Sequence, residues 1–177
     1  MTKQLFIFTS VAAAALMTAC ATTMKAPEAP AAVTVPAGNK VVMTTVGIGE
    51  LTYECRVKAN LADTFEWVLA GPEAVLYDSK KNAIGKYYKG PTWESNDGSK
   101  VTGKQLAVSP NLGSIPLQLV QASPATGTGV MTGVTYIQRL NTVAGLAPTS
   151  SCAVANLVLN RRLNTKRTTF FIKLCKR

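Results

Sequence analysis

The sequence predicts an all-β protein, a single-domain antiparallel sandwich or barrel of short strands, and three observations lead to that expectation. Short β-prone runs recur at a spacing of roughly 8–12 residues, with Gly, Pro, Asn or Asp between them. Leu51–Lys58 alternates Leu51, Tyr53, Cys55 and Val57 with Thr52, Glu54, Arg56 and Lys58, the period of a half-buried strand. Asp97-Gly98 lies between two strand-like runs, where a tight hairpin asks for φ > 0 at both positions.

Taken in order, Lys40–Thr45 and Leu51–Lys58 read as strands separated by Gly47-Ile48-Gly49. Phe65–Leu69 and Ala74–Tyr77 are short apolar runs interrupted by Gly71-Pro72, and Asp78 to Asn82 reads as a polar turn. Ala83–Lys89 leads into the most informative stretch, Tyr87–Gly98, which sets Tyr87 and Tyr88 on one strand and Trp93 and Glu94 on the next, around a Gly90-Pro91 breaker. Lys100–Val108, Ile115–Gln121 beyond a Pro110/Gly113 loop, and Val130–Leu140 complete the body. Only Asn60–Leu69 has the character of a helical turn. There is no heptad, internal repeat or Gly-rich phosphate loop.

Residues 1–20 have the layout of an export signal: Lys3, the apolar run Leu5–Met17, then Thr18-Ala19-Cys20. Leu16-Met17-Thr18-Ala19-Cys20 is similar to a bacterial lipobox, which makes Cys20 the expected lipidation site and the outer membrane the favoured address. Ordinary cleavage nearby, without lipid, is the alternative. Residues 21–39, rich in Ala, Pro and Thr, read as a tether, and the β domain is expected over 40–160.

Composition narrows the chemistry. The 177 residues contain no histidine, which removes Ser-His-Asp triads, Cys-His dyads and His-based zinc sites. No metal or nucleotide motif is visible, so no cofactor and no metal are expected. The net charge of +10 is unevenly spread: 161–177 holds seven basic side chains and no acid, while 21–160 holds eleven basic and nine acidic ones. The body is nearly neutral, no nucleic-acid partner is expected, and 161–177 reads as an atypical basic tail.

Within the body, Tyr87, Tyr88 and Trp93 could stack a sugar, with Glu94 or Asp97 supplying hydrogen bonds. The alternative is that Trp93 fills the core and the tyrosines split between faces. Glu94 and Asp97 also resemble an acid pair for glycoside cleavage, the alternative of a glycan-active hydrolase. Arg139, at the end of an apolar strand, is a candidate to pair with Asp78 or Glu94. Beyond Cys20, the cysteines are Cys55, Cys152 and Cys175. In an exported chain one pair is expected, Cys55–Cys152 or Cys152–Cys175.

Several segments together carry a family resemblance: Leu51-Thr52-Tyr53-Glu54-Cys55, Gly85 through Glu94 with its Gly90-Pro91-Thr92-Trp93-Glu94 block, Asp97-Gly98, Ile115-Pro116, and Thr135 through Thr142 with Pro148 and Cys152. From about Val35 to Cys152 the chain resembles the domain of unknown function 3455 family of secreted bacterial and fungal proteins. The resemblance implies secretion, one compact domain and a Cys55–Cys152 bridge, and it brings no reaction, substrate or cofactor. Members usually close with a tyrosine-rich strand, where this chain has Arg161–Arg177. Permitted codons for Leu163–Cys175 spell such an aromatic strand in a neighbouring frame, so 161–177 reads as a possible frameshift product. That substitution is expected to leave a sheet edge poorly covered, with Thr168–Leu174 pairing in its place and Phe171 turned inward. The functional expectation is an exported, lipid-anchored envelope protein that binds a glycan or another envelope component, or has a structural role there, without catalysis. The hydrolase using Glu94 and Asp97 is the alternative.

Overall fold

The computed structural model describes residues 24–157 and 160–174. Nine strands form one antiparallel sheet curled into a half-barrel. They are β1 (Asn39–Val57), β2 (Phe65–Tyr77), β3 (Ala83–Tyr88), β4 (Thr92–Ser95), β5 (Lys100–Val101), β6 (Gly103–Asn111), β7 (Ser114–Ala122), β8 (Val134–Ala144) and β9 (Asn160–Leu174). Their spatial order is β5-β4-β3-β2-β1-β9-β8-β7-β6. Each strand pairs with its sequence neighbour, with two exceptions. β1 pairs with β9, while β5 and β6, separated only by Thr102, sit at opposite edges. The topology is an up-and-down meander joined at its two ends and left open between β5 and β6. The link 123–133 spans part of that opening, through two backbone bonds of 2.9 Å between Lys100 and Thr126 and one of 2.8 Å from Ser123 N to Thr102 O.

The glycines read as breakers are curvature points instead. β1 runs unbroken through Gly47 and Gly49, and a Cβ on Gly49 would lie 2.0 Å from the Glu73 carbonyl oxygen of the facing strand. Gly85 makes the same close approach to the Glu94 carbonyl, at 2.3 Å. Side chains at these points would push the strands apart and flatten the sheet. β2 likewise continues through Gly71-Pro72, and its extra residue Ala70 is left unpaired between the Thr52–Gly71 and Tyr53–Leu69 pairs. Proline is tolerated there because β3 joins β2 only from Glu73 onward, so Pro72 sits where β2 has one partner. The candidate helical turn is a pair of reverse turns over 58–64 followed by strand, with Asn60 and Asp63 both at φ 63°.

The concave face carries the main core: Leu76, Tyr87, Trp93, Val101, Val120, Met131, Val134, Ile137 and Phe171. The convex face of β7–β9 is covered by the segment expected to be a tether. Val33 is fully buried against Leu119 and Leu140, and Gln138 Nε2 donates to the Val33 carbonyl at 2.7 Å. The chain around Val33 is therefore part of the domain, with a short 3-10 turn at Ala31–Val33 setting its course.

The expected poorly covered edge is absent for a topological reason. β9 is the central strand, laddered to β1 from Asn39/Leu174 to Glu54/Asn160 and to β8 on its other side. The domain therefore extends through Leu174, beyond the expected boundary at 160, and Phe171 points into the core. The bridge is Cys55–Cys152, with Cα atoms 5.6 Å apart and a sequence separation of 97. It ties the end of β1 to the β8–β9 connection, where Trp67 Nε1 also donates to Ser150 O (2.9 Å) and Tyr53 OH to Gly145 O (2.8 Å). Cys20, the segment 1–20 and Cys175 lie outside the described residues.

Because the bridge closes a loop of nearly the whole domain, Cys152→Ser is expected to lower unfolding free energy by about 3–5 kcal/mol in the chain-entropy account. Urea titration of the oxidised wild type against the variant checks this, and an unchanged midpoint would contradict it.

Candidate functional site

The Tyr87–Gly98 stretch forms two consecutive hairpins, β3–β4 and β4–β5. The second has a three-residue loop, Asn96-Asp97-Gly98, closed by Gly98 N to Ser95 O at 3.0 Å and Ser95 N to Ser99 O at 2.9 Å. Only Gly98 has positive φ (85°), as in a type I turn followed by a left-handed residue. The expected two-residue turn with both centres at positive φ is thus corrected.

Strand alternation splits the aromatic trio. Tyr87 and Trp93, directly opposite in the ladder, both face the concave core with ring centroids 4.7 Å apart, and Trp93 is 3% exposed. Tyr88 and Glu94 point to the convex face, so the trio is not one stacking platform. Tyr88 OH donates to Glu94 Oε2 at 2.7 Å, and the Lys86 and Lys100 ammonium groups lie 3.5 and 3.4 Å from that carboxylate. The hydrogen bond from Tyr88, then the two lysine charges, hold Glu94 below the usual carboxylate range, and the same bond raises the Tyr88 phenol.

Asp97 has a structural use. Oδ1 accepts from Ser99 Oγ (2.6 Å) and Ser99 N (2.9 Å), and Oδ2 accepts from Val130 N (2.8 Å). Ser99 Oγ in turn accepts from Met131 N at 3.2 Å. These bonds, led by the Ser99 hydroxyl, bring the Asp97 carboxyl down to about 2. The carboxylate pins the β4–β5 turn to the link that spans the open side of the sheet. A Cβ on Gly129 would come 2.4 Å from Asp97 Oδ2, so glycine makes room for the contact.

Arg139 pairs with neither Asp78 nor Glu94. Its Nε and Nη2 donate to Pro116 O at 3.2 and 2.8 Å. Asp78 caps its own turn, accepting from Lys80 N and Asn82 N. Arg139 shares the concave face with a residue sequence reasoning placed in the basic tail. Arg167 is 1% exposed, stands opposite Gly47 in the β1–β9 ladder, and lies with its guanidinium carbon 4.4 Å from the Tyr87 ring centroid. The Arg167 side chain lies over Gly47, where a Cβ would sit in ordinary contact with Arg167 Cγ and Nε at 3.4 Å. Burial lowers the Arg167 pKa to about 10, and Arg139's charge acts in the same direction, so the group stays charged at neutral pH. A signal for this was present: in a β-prone run ending at Leu174, odd positions share a face with Phe171. Among the described residues no His/Cys/Asp/Glu group could hold a metal ion.

On the convex side, a groove of about 560 Å³ follows β1, β2 and β3, lined by Ile48, Glu50, Glu73, Val75, Lys86 and Tyr88. Its lining mixes the Tyr88 ring and the Ile48 and Val75 side chains with the charges of Glu50, Glu73 and Lys86.

Fold and site together define a disulfide-bonded, all-β antiparallel meander. A family model described as "Protein of unknown function (DUF3455)" matches residues 36–162, and the chain belongs to this family. Comparison with curated proteins and with solved structures returned no match.

Asp97's lowered value makes its bonds a source of stability above the carboxylate range of the unfolded chain, lost as pH falls from about 4 towards 2. Asp97→Asn is therefore expected to lower the melting temperature at pH 7 and to flatten the wild type's decline between pH 4 and 2. Melting curves over that range test it; parallel acid limbs in the two proteins would refute the assignment.

Proposed function

We propose that this is an exported protein of the cell envelope, anchored by lipid on Cys20, favoured at the outer membrane, and acting as a non-catalytic binding module for a glycan or another envelope component. The single observation that carries the non-catalytic reading is the engagement of both candidate carboxylates. Glycoside cleavage needs one carboxyl protonated near neutral pH and a second one across the scissile bond. Glu94 is held ionised on the convex face by Tyr88, Lys100 and Lys86, and Asp97, near 2, spends its oxygens on Ser99 and Val130. Trp93 is in the core rather than beside them. The Cys55–Cys152 bridge supports export, since such bonds persist in oxidising compartments. Among the described residues no helix is long and apolar enough to cross a membrane, and a lipid on Cys20 would supply attachment.

Mass spectrometry of the protein from a membrane fraction is expected to find an acylated N-terminus at Cys20, with Cys20→Ser shifting the protein to the soluble fraction. An unmodified N-terminus at any other residue would remove the anchor. Incubation with envelope glycans is expected to release no reducing ends above background; release abolished by Glu94→Gln would instead establish the hydrolase.

A further inference from the structure

The ladder register sets one row of side chains across five strands of the concave face: Val108 on β6, Gln118 on β7, Arg139 on β8, Thr169 on β9 and Thr45 on β1. Exposure falls along the row. Val108 is 42% exposed, Gln118 and Arg139 are half-buried, and Thr169 and Thr45 are closed off. The free edge of β6 leaves the first end open to solvent. Arg167 lies one inward position from Thr169, at the sealed end.

This funnel is electrostatically incomplete. Among the described residues, Arg167 Nη1 and Nη2 and Thr45 Oγ1 are buried without a hydrogen-bond partner. Arg139 spends two of its N–H groups on a neutral carbonyl. All nine acidic residues of the chain are among the described residues, and none forms an ion pair with either arginine. One permanent positive charge thus lies in the low-dielectric interior and a second at its half-open rim, with no counter-charge among the described residues, an arrangement that costs free energy unless an anion completes it. The field of a sealed charge is poorly screened, so Arg167 strengthens whatever Arg139 holds at the mouth.

We propose that the concave mouth of the half-barrel binds an oxyanion, a carboxylate or phosphate group carried by an envelope component. The guanidinium of Arg139 makes the fork-shaped contact, the Gln118 amide flanks it, and Arg167 behind supplies potential without touching the ligand. Gln118 Nε2 donates to Gln105 Oε1 at 2.6 Å, which holds that amide at the rim. The inference rests on the binding-module reading and names the chemistry of its ligand.

The test titrates the oxidised full chain with sodium acetate, potassium phosphate and, as control, sodium chloride at constant ionic strength, read by calorimetry and by melting temperature. Saturable binding of acetate or phosphate is expected, and the ion preferred separates a carboxylate source from a phosphate source. Arg139→Lys, which keeps the charge and loses the fork, should weaken binding about tenfold. Arg167→Met, which removes the charge while keeping an unbranched side chain against the Tyr87 ring, should weaken it less. Gln118→Leu, at the half-exposed rim, is a variant that leaves the core intact and should also weaken binding. Absence of saturable binding to either ion, or equal affinity in wild type, Arg139→Lys and Gln118→Leu, overturns the site. Retention of the protein on envelope glycans, unaffected by Arg139→Lys, would preserve the module while removing this site from it.

Discussion

Everything in the molecule depends on the pairing of β1 with β9, the first strand with the last. Bringing chain segments this far apart together costs loop-closure entropy that no local contact repays. The structure offsets that cost in three ways along β1. The backbone ladder runs over most of its length, the Cys55–Cys152 bridge secures one end, and Phe171 and Arg167 insert from β9 into the space enclosed by β1, β2 and β3. Without β9 the sheet would be two separate meanders, β1–β5 and β6–β8, each with a long exposed edge.

Closure by β9 also determines what the concave face contains. A curled sheet points alternate residues of every strand towards a common interior, and in β9 those residues are Thr165, Arg167, Thr169 and Phe171. Phe171 joins the hydrocarbon cluster with Ile137. Arg167 cannot, and lies instead over Gly47 against the aromatic face of Tyr87. A cation over a desolvated ring is worth on the order of 2 kcal/mol, well below the several kcal/mol of burying an ion. The guanidinium is therefore held in place by the strand's other contacts more than by its own.

Alternation, turn residues and cysteine usage made the class of fold legible before any coordinates. Leu51, Tyr53 and Cys55 face inward as their period requires, and the aromatic pair splits between faces because successive strand residues must. Less could be read where one residue type serves two ends. Gly49 and Gly71-Pro72 have the composition of loops, yet here they sit in strands at points of tight curvature or one-sided pairing, which only the partner strand reveals. The segment around Val33 has tether composition, and one buried valine with one glutamine bond docks it. Neither the engagement of Asp97 by a link some thirty residues later nor the Arg167–Tyr87 contact leaves a local trace, because both are created by closure.

The charge distribution shows the same division between what composition reveals and what topology decides. A run of seven basic residues with no acid reads as a solvated tail, and β9 does present Lys166 to solvent. Its neighbour Arg167 is turned inward by the period of the strand, opposite a glycine and far from the convex-face carboxylates. Net charge therefore says little about the electrostatics that matter here. An interior that holds one guanidinium group, with a second at its rim and no acid among the described residues, is positive whatever the surface carries, and low dielectric extends that potential to the half-open rim at Arg139. A chain whose body is almost neutral by count can in this way present one strongly cationic opening, where an anion gains more than it would at any cluster of surface lysines.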